Sequence, residues 1–353
     1  MIRLLLRAIL LMLGMIAALI AVLYLISPVR PVIWDAPPNP GFTGVFSVND
    51  SLASYEQLDV RGYGPEDVSC APSGGYVTGL DDGLIVKVSE SGAVEELGNT
   101  GGRPLGVHAL ADGSVLIADA ERGLVKLANG QVELLANEVD GEPMLFVDDL
   151  DVAADGTVWF SDASQRFGMA DNRRDFMEGS KTGRLLSFDP ITGQVTSHLE
   201  NLFFANGVAL GPNDEYVLVN ETGLGQIQRL WLKGERAGQV DLFVSELPSA
   251  IDNLSFNGRD TFWVAMPNPR KILDDLAPTP MLRRILGALP ESMARAIETD
   301  FAMVVAIDLE GNVTQSLQDP AAGYHHITSV NQCGNHLLLG SLRESGIGRV
   351  GLQ

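Results

Sequence analysis

The chain has 353 residues, a formal net charge of −21 and 46% hydrophobic residues. An acidic excess of this size repels phosphate backbones and excludes a nucleic-acid partner, while it suits solubility and divalent cations. The length fits one large domain, and the two cysteines, Cys70 and Cys333, are read as buried, unpaired thiols, with pairing open only outside the cytoplasm.

Residues Ala8 to Ile26 run 19 positions without a charge, long enough to cross the hydrocarbon core as one helix. Arg3 and Arg7 precede the run and Arg30 follows it, so the positive-inside bias keeps the N-terminus in the cytoplasm and puts the rest on the extracytoplasmic side. The run exceeds a signal-peptide h-region and no A-x-A site follows, so residues 1–27 are read as an uncleaved, single-pass signal anchor. Pro28, Pro31, Pro37, Pro38 and Pro40 then favour a stiff, extended tether over 28–42.

From residue 43 onward a turn and a short apolar strand recur. First runs (YVTGL, SVLIAD, TVWFSD, YVLVNE, TFWVAM, HLLLGS) lead into second runs (LIVKVS, LVKLA, RLLSFD, IQRLWL, MVVAIDL, GRVGL). A period of about 40 to 50 residues built from four short strands predicts an all-β, six-bladed β-propeller. Near-continuous apolar runs suit strands covered on both faces by neighbouring blades. Gly83, Gly123, Gly183 and Gly225 precede the second runs, where a tight reversal calls for φ > 0. The long interval from Gly123 to Gly183 marks an insertion, Gln165 to Lys181.

A larger insertion in blade 5, residues 267–299, changes to a helical period. Met281, Leu282, Ile285, Leu286 and Leu289 share one face, with Arg283 and Arg284 on another, and the segment PESMARAI continues the helical pattern. A lid, a membrane-facing helix pair and a helix packed on the rim all fit. The last run leaves its blade one strand short, and Ser51 to Val60 is expected to supply that strand and close the ring.

The residues that open the inner strands are oxygen donors: Glu66 with Asp67, Asp148 with Asp149, Asn206, and Asp252 with Asn253. Their separations of 82, 58 and 46 residues match two blades, one blade with its insertion, and one blade. They should therefore stand at equivalent heights around the channel. Carboxylates joined by Asn carbonyls suit Ca²⁺, whereas Zn²⁺ calls for His or Cys; the alternative is that each residue caps its own turn. At the channel mouth Ca²⁺ would lend Lewis acidity to the carbonyl of an ester or lactone substrate under attack by water. General-base candidates are Asp252, Asp149, His108, His325 and His326, the last two just before the sixth inner strand. Ser161 and Ser164 lack a G-x-S-x-G elbow and are read as structural, and Trp159 and Trp263 as inter-blade packing.

The segments GRPLGV, FVDDLDV, WFSDAS, GRLLSFDP, FANGVAL and IDNLSFNG, the last followed by FWVA, resemble the strictosidine synthase-like and SMP-30/gluconolactonase superfamily of six-bladed propellers, from about Gly64 to the C-terminus. The resemblance implies hydrolase activity of the arylesterase or lactonase type. It also implies Glu66, Asp148, Asn206 and Asp252 as calcium ligands, with Asn253 beside them. This chain has Asp148 where most relatives carry Asn or Thr. Alkaloid-forming strictosidine synthases use a Glu at the start of the sixth blade, but ITSV places Ser329 there, which disfavours condensation. Paraoxonases use a His after a Pro in the second blade, and Arg103-Pro104-Leu105 lacks it. A reading from another class is a non-enzymatic, calcium-stabilised propeller that acts as a binding module.

Overall fold

The computed structural model describes residues 2–290, 293 and 300–352. Six four-stranded antiparallel sheets form the ring. Blade 3 shows how the sequence builds each one. Its second and third strands, Val158–Asp162 and Gly183–Phe188, are buried throughout because blades cover both faces, whereas the outer strand Val195–Leu202 alternates burial with exposure. The cores lie between blades: Trp159 and Leu185 of blade 3 pack with Val208 and Val217 of blade 4, and Trp263 of blade 5 packs with Leu337 and Leu339 of blade 6.

Two devices close the ring. Strand Glu56–Asp59 pairs with Gly346–Gly351, Glu56 opposite Arg349 and Asp59 opposite Gly346, which completes blade 6 with the segment expected from the sequence. The second device corrects the reading of free thiols: Cys70 and Cys333 form a disulfide, with Cα atoms 5.7 Å apart. Each cysteine ends the inner strand of its blade, Val68–Cys70 and Ile327–Cys333, so closure of blade 1 against blade 6 brings them together. Gly83, Gly123 and Gly225 have φ of 87°, 95° and 59° as the reversal requires. Gly183 does not; there the need is space, because a Cβ would lie 2.6 Å from the Ala205 nitrogen.

Antiparallel pairing decides where the insertions emerge. Val147 opposes Asp162 in blade 3, and Leu254 opposes Val264 in blade 5. Each second strand therefore ends where its inner strand begins, and both insertions leave from the channel mouth. They carry helix α2 (Asn172–Glu178), α3 (Lys271–Leu276) and α4 (Pro280–Leu286), while the N-terminal helix, αN (Ile2–Ile26), has no buried residue. The helical reading of 291–292 and 294–299 lies outside the described residues.

Two expectations change here. Residues 28–42 are extended but docked on the insertions rather than a free tether. The Val32 amide donates to the Glu178 carbonyl at 2.8 Å, and Arg270 donates to the carbonyls of Pro37 and Pro38 at 3.0 and 3.1 Å. Helix α4, moreover, buries its arginine and exposes part of its apolar stripe. Arg283 is fully buried, with Met281 and Leu282 outward. Its guanidinium donates to the carbonyls of Val32 (2.6 Å), Met177 (2.9 Å), Leu276 (3.1 Å) and Ala277 (3.1 Å), and lies 4.3 Å from the centre of the Trp34 ring. Its fixed donors serve several carbonyls at once, and that demand outweighs burial of Met281.

Candidate metal centre at the channel mouth

The inner strands begin irregularly. Register shifts fall between Val147 and Leu150 and between Ala205 and Val208, so the pairs Asp148–Asp149 and Asn206–Gly207 sit in bulges. A bulge lets consecutive side chains both turn inward. Asp148 and Asp149 are accordingly both buried, as are Glu66, Asn206, Asp252 and Asn253.

Two layers with different work result. In the lower one, carboxylates join blades: Asp67 accepts from the Val107 amide at 3.0 Å and Asp149 from the Val208 amide at 2.7 Å. Strand approach is close enough that a Cβ on Gly106 would lie 2.7 Å from Asp149 Oδ1. Asp149, read from sequence as a possible base, thus has one oxygen committed to a neighbouring strand. The upper layer holds Glu66, Asp148, Asn206, Asp252 and Asn253. The Asn253 amide donates to both Glu66 oxygens at 3.0 and 3.2 Å, and the Asn220 amide donates to the Asp252 carbonyl.

Charge is crowded in this channel. Burial pushes Glu66 well above the usual carboxylate range, and the fields of Asp252, Asp148, Asp67 and Asp149 add to it. Asp148 is raised by burial and then by Asp252 and Asp162, with Arg103 opposing. Asp149 is raised by burial and Asp67, against the hydrogen bond from Val208. Asp252 is raised to about 7 by burial, and a side-chain hydrogen bond with Asn206 pulls it down. Like charges raise one another in this way when they share a dry site.

The donor chemistry suits a hard cation. The side-chain oxygens Asn206 Oδ1 and Asn253 Oδ1 are buried and have no hydrogen-bond partner, a costly state unless another ligand takes them up. Carboxylate and amide oxygens, the donor types of this layer, are those Ca²⁺ takes. Among the described residues no group of three or more His, Cys, Asp or Glu is drawn together closely enough to hold a metal ion.

The histidines have partners of their own. His325 Nδ1 lies 2.8 Å from Glu344 Oε1, and its Nε2 lies 3.6 Å from the exposed Asp300. His326 Nδ1 is 3.4 Å from Asn268 Nδ2, on a backbone with φ of 51°. His108 Nδ1 lies 3.6 Å from Asp151, which accepts from the Leu210 amide in the lower layer. Sequence reading named Asp67 as an oxygen donor without giving it a role, and gave no part to Arg103, which donates to the Gly64 carbonyl at 2.9 Å beneath Glu66. A signal for the role of Asp67 existed, since Asp67 and Asp149 each follow a ligand candidate and each serve the valine of a later Gly-Val pair.

Known proteins point the same way for the fold. Residues 148–235 match the strictosidine synthase family model, and residues 44–88 the strictosidine synthase-like N-terminal model. Human adipocyte plasma membrane-associated protein is 33% identical over 363 residues, covering 94% of this chain and 86% of that protein. Strictosidine synthase-like protein 6 of Arabidopsis thaliana is 36% identical over 297 residues, covering 82% and 79%. Among solved structures, a gluconolactonase from Xanthomonas campestris superposes with a TM-score of 0.63 at 16% identity, covering 92% of this chain and 98% of that one. A calcium-binding protein, regucalcin, from Agrobacterium tumefaciens does so at 0.60 and 15%, covering 85% and 94%. The chain belongs to the strictosidine synthase-like family of six-bladed β-propellers.

Proposed function

We propose that the protein is a calcium-dependent hydrolase of esters or lactones, held by αN with its propeller on the extracytoplasmic side. The observation that carries the reading is the pair of orphaned amide oxygens, Asn206 Oδ1 and Asn253 Oδ1, buried among Glu66, Asp148 and Asp252. These five residues would hold the ion, and bound Ca²⁺ would supply Lewis acidity to the substrate carbonyl. Asn253 orients Glu66 through its two hydrogen bonds, and Asn206 orients Asp252. Asp252 is 9% exposed, against 2% for Glu66 and 3% for Asp148, and takes the proton of the attacking water at its carboxylate. Leu105, Phe146 and Phe204, each next to the start of an inner strand, pack in one buried apolar cluster. Relatives named as gluconolactonase and as plasma membrane-associated support the reaction class and the location. The disulfide supports an oxidising compartment, and αN is long and apolar enough to span a membrane.

The test is an ester and lactone screen on the full chain in detergent micelles, with and without a calcium chelator. Turnover lost on chelation and restored by Ca²⁺ is expected. Turnover indifferent to chelation overturns the role of the ion, and a protein that binds Ca²⁺ yet turns over nothing overturns the hydrolase in favour of a binding scaffold.

A further inference from the structure

We infer that the outward faces of α3 and α4, together with Val32 and Ile33, form a lipid-docking platform that enters the outer leaflet beside αN. This rests on the proposed membrane span. Ile272 is 64% exposed, Met281 63% and Ile33 62%, with Leu282 and Val32 also outward. These side chains belong to elements tied together at one place, where αN leaves the bilayer.

The depth of α4 is fixed by a direct contact. Arg284 Nε donates to the Tyr24 carbonyl at 3.0 Å, and its guanidinium lies 4.4 Å from the centre of the Tyr24 ring. Tyr24 is in the last turn of αN, so α4 stands at the boundary between hydrocarbon and headgroups, where aromatic and arginine side chains commonly sit. Arg283 fixes the rotation of α4: with its guanidinium held by the Val32, Met177, Leu276 and Ala277 carbonyls, Met281 and Leu282 must face away from the propeller. Lys271 and Asp275, also outward, pair at 2.8 Å and present little net charge to lipid. A bilayer is the occupant continuous with this surface, because the span already places it there.

The platform is also continuous with the channel mouth. Trp34, Leu273 and Ala277 share one apolar cluster with Leu105, Phe146 and Phe204. A substrate delivered from this platform would be an amphiphilic ester or lactone dissolved in the leaflet.

Full-length protein in phosphatidylcholine vesicles provides the test. Single cysteines replacing Ile272, Met281 and Ile33 carry an environment-sensitive fluorophore, and Ile191, which is 89% exposed on a hairpin at the opposite end of the propeller, is the control. Alkaline carbonate extraction of the same vesicles reports separately on the span. Strong quenching by lipids brominated near the headgroup, with protection from aqueous iodide, is expected at 272, 281 and 33, and the reverse at 191. Iodide access at all four sites overturns the platform while leaving the span intact. Protection from iodide without lipid quenching also overturns it, in favour of a second copy or a protein partner. The Ile272→Asp/Met281→Asp variant should keep turnover of a short water-soluble ester and lose turnover of a long-chain ester dissolved in the vesicles. Equal losses on both overturn the lipid route, and absence of turnover in the unmodified protein overturns the hydrolase alone, since quenching still decides the platform.

Discussion

Replacing Cys70 and Cys333 together by serine opens the inner closure of the ring while the outer closure, Glu56–Asp59 on Gly346–Gly351, remains. The bond spans 263 residues of sequence. The chain-entropy relation for a loop of that length gives about 5–6 kcal/mol, and measured disulfides usually deliver about 2–4 kcal/mol. Divided by an unfolding entropy of about 2.1 cal/mol/K per residue over roughly 300 propeller residues, the smaller figure is a Tm loss of about 3–6 °C. Scanning calorimetry in detergent should show it for the double variant, and for the native protein after reduction. Hydrogen exchange should quicken first in the inner strands Val68–Cys70 and Ile327–Cys333, which meet at the seam, and not in blades 3 and 4. An unchanged Tm, or exchange that rises evenly around the ring, would refute the view that this seam is the weak point.

Other consequences are open to direct test. Arg283→Met removes the guanidinium bonds to the Val32, Met177, Leu276 and Ala277 carbonyls. At roughly 1.5–3 kcal/mol per charged hydrogen bond it should release residues 28–36 to limited proteolysis, whereas an equally resistant segment would contradict the docking. Asp175 is pushed up to about 6 by burial, although the Ser164 and Ser180 hydroxyls donate to it. Its folded value lies above the unfolded value of 3.8, so folding takes up a proton and the stability this group contributes is lost as pH rises through 6. Asp175→Asn should therefore gain up to about 3 kcal/mol on the native protein between pH 4 and pH 8 in denaturant titrations; a gap independent of pH would contradict it. Gly106→Ala places a methyl against Asp149 and should cost about 1–3 kcal/mol in the same titration, while a neutral result would show that blades 2 and 3 have room to part.

Much of the ring was legible because repetition is a sequence property. Apolar runs at a regular period revealed the blades, and the missing outer strand pointed to Ser51–Val60. The opening residues of the inner strands were legible for the same reason, and all of them are buried at the channel mouth. The disulfide was not, since the proximity of Cys70 to Cys333 arises only when the first and last blades meet. Nor was the orientation of α4: periodicity shows which face is apolar, but the carbonyls that capture Arg283 come from the linker, α2 and the end of α3. Asp149 looked like a base because it adjoins Asp148, and only the bulged register assigns it to the Val208 amide.

The most direct test of the central claim is calorimetric Ca²⁺ titration of the full chain in detergent, alongside Asn206→Ala and Glu66→Gln. The predicted result is one ion per chain, with affinity lowered at least tenfold, or about 1.4 kcal/mol, in each variant. No binding by the native protein, or variants that bind as tightly as it does, would contradict a single cage drawn from separate blades.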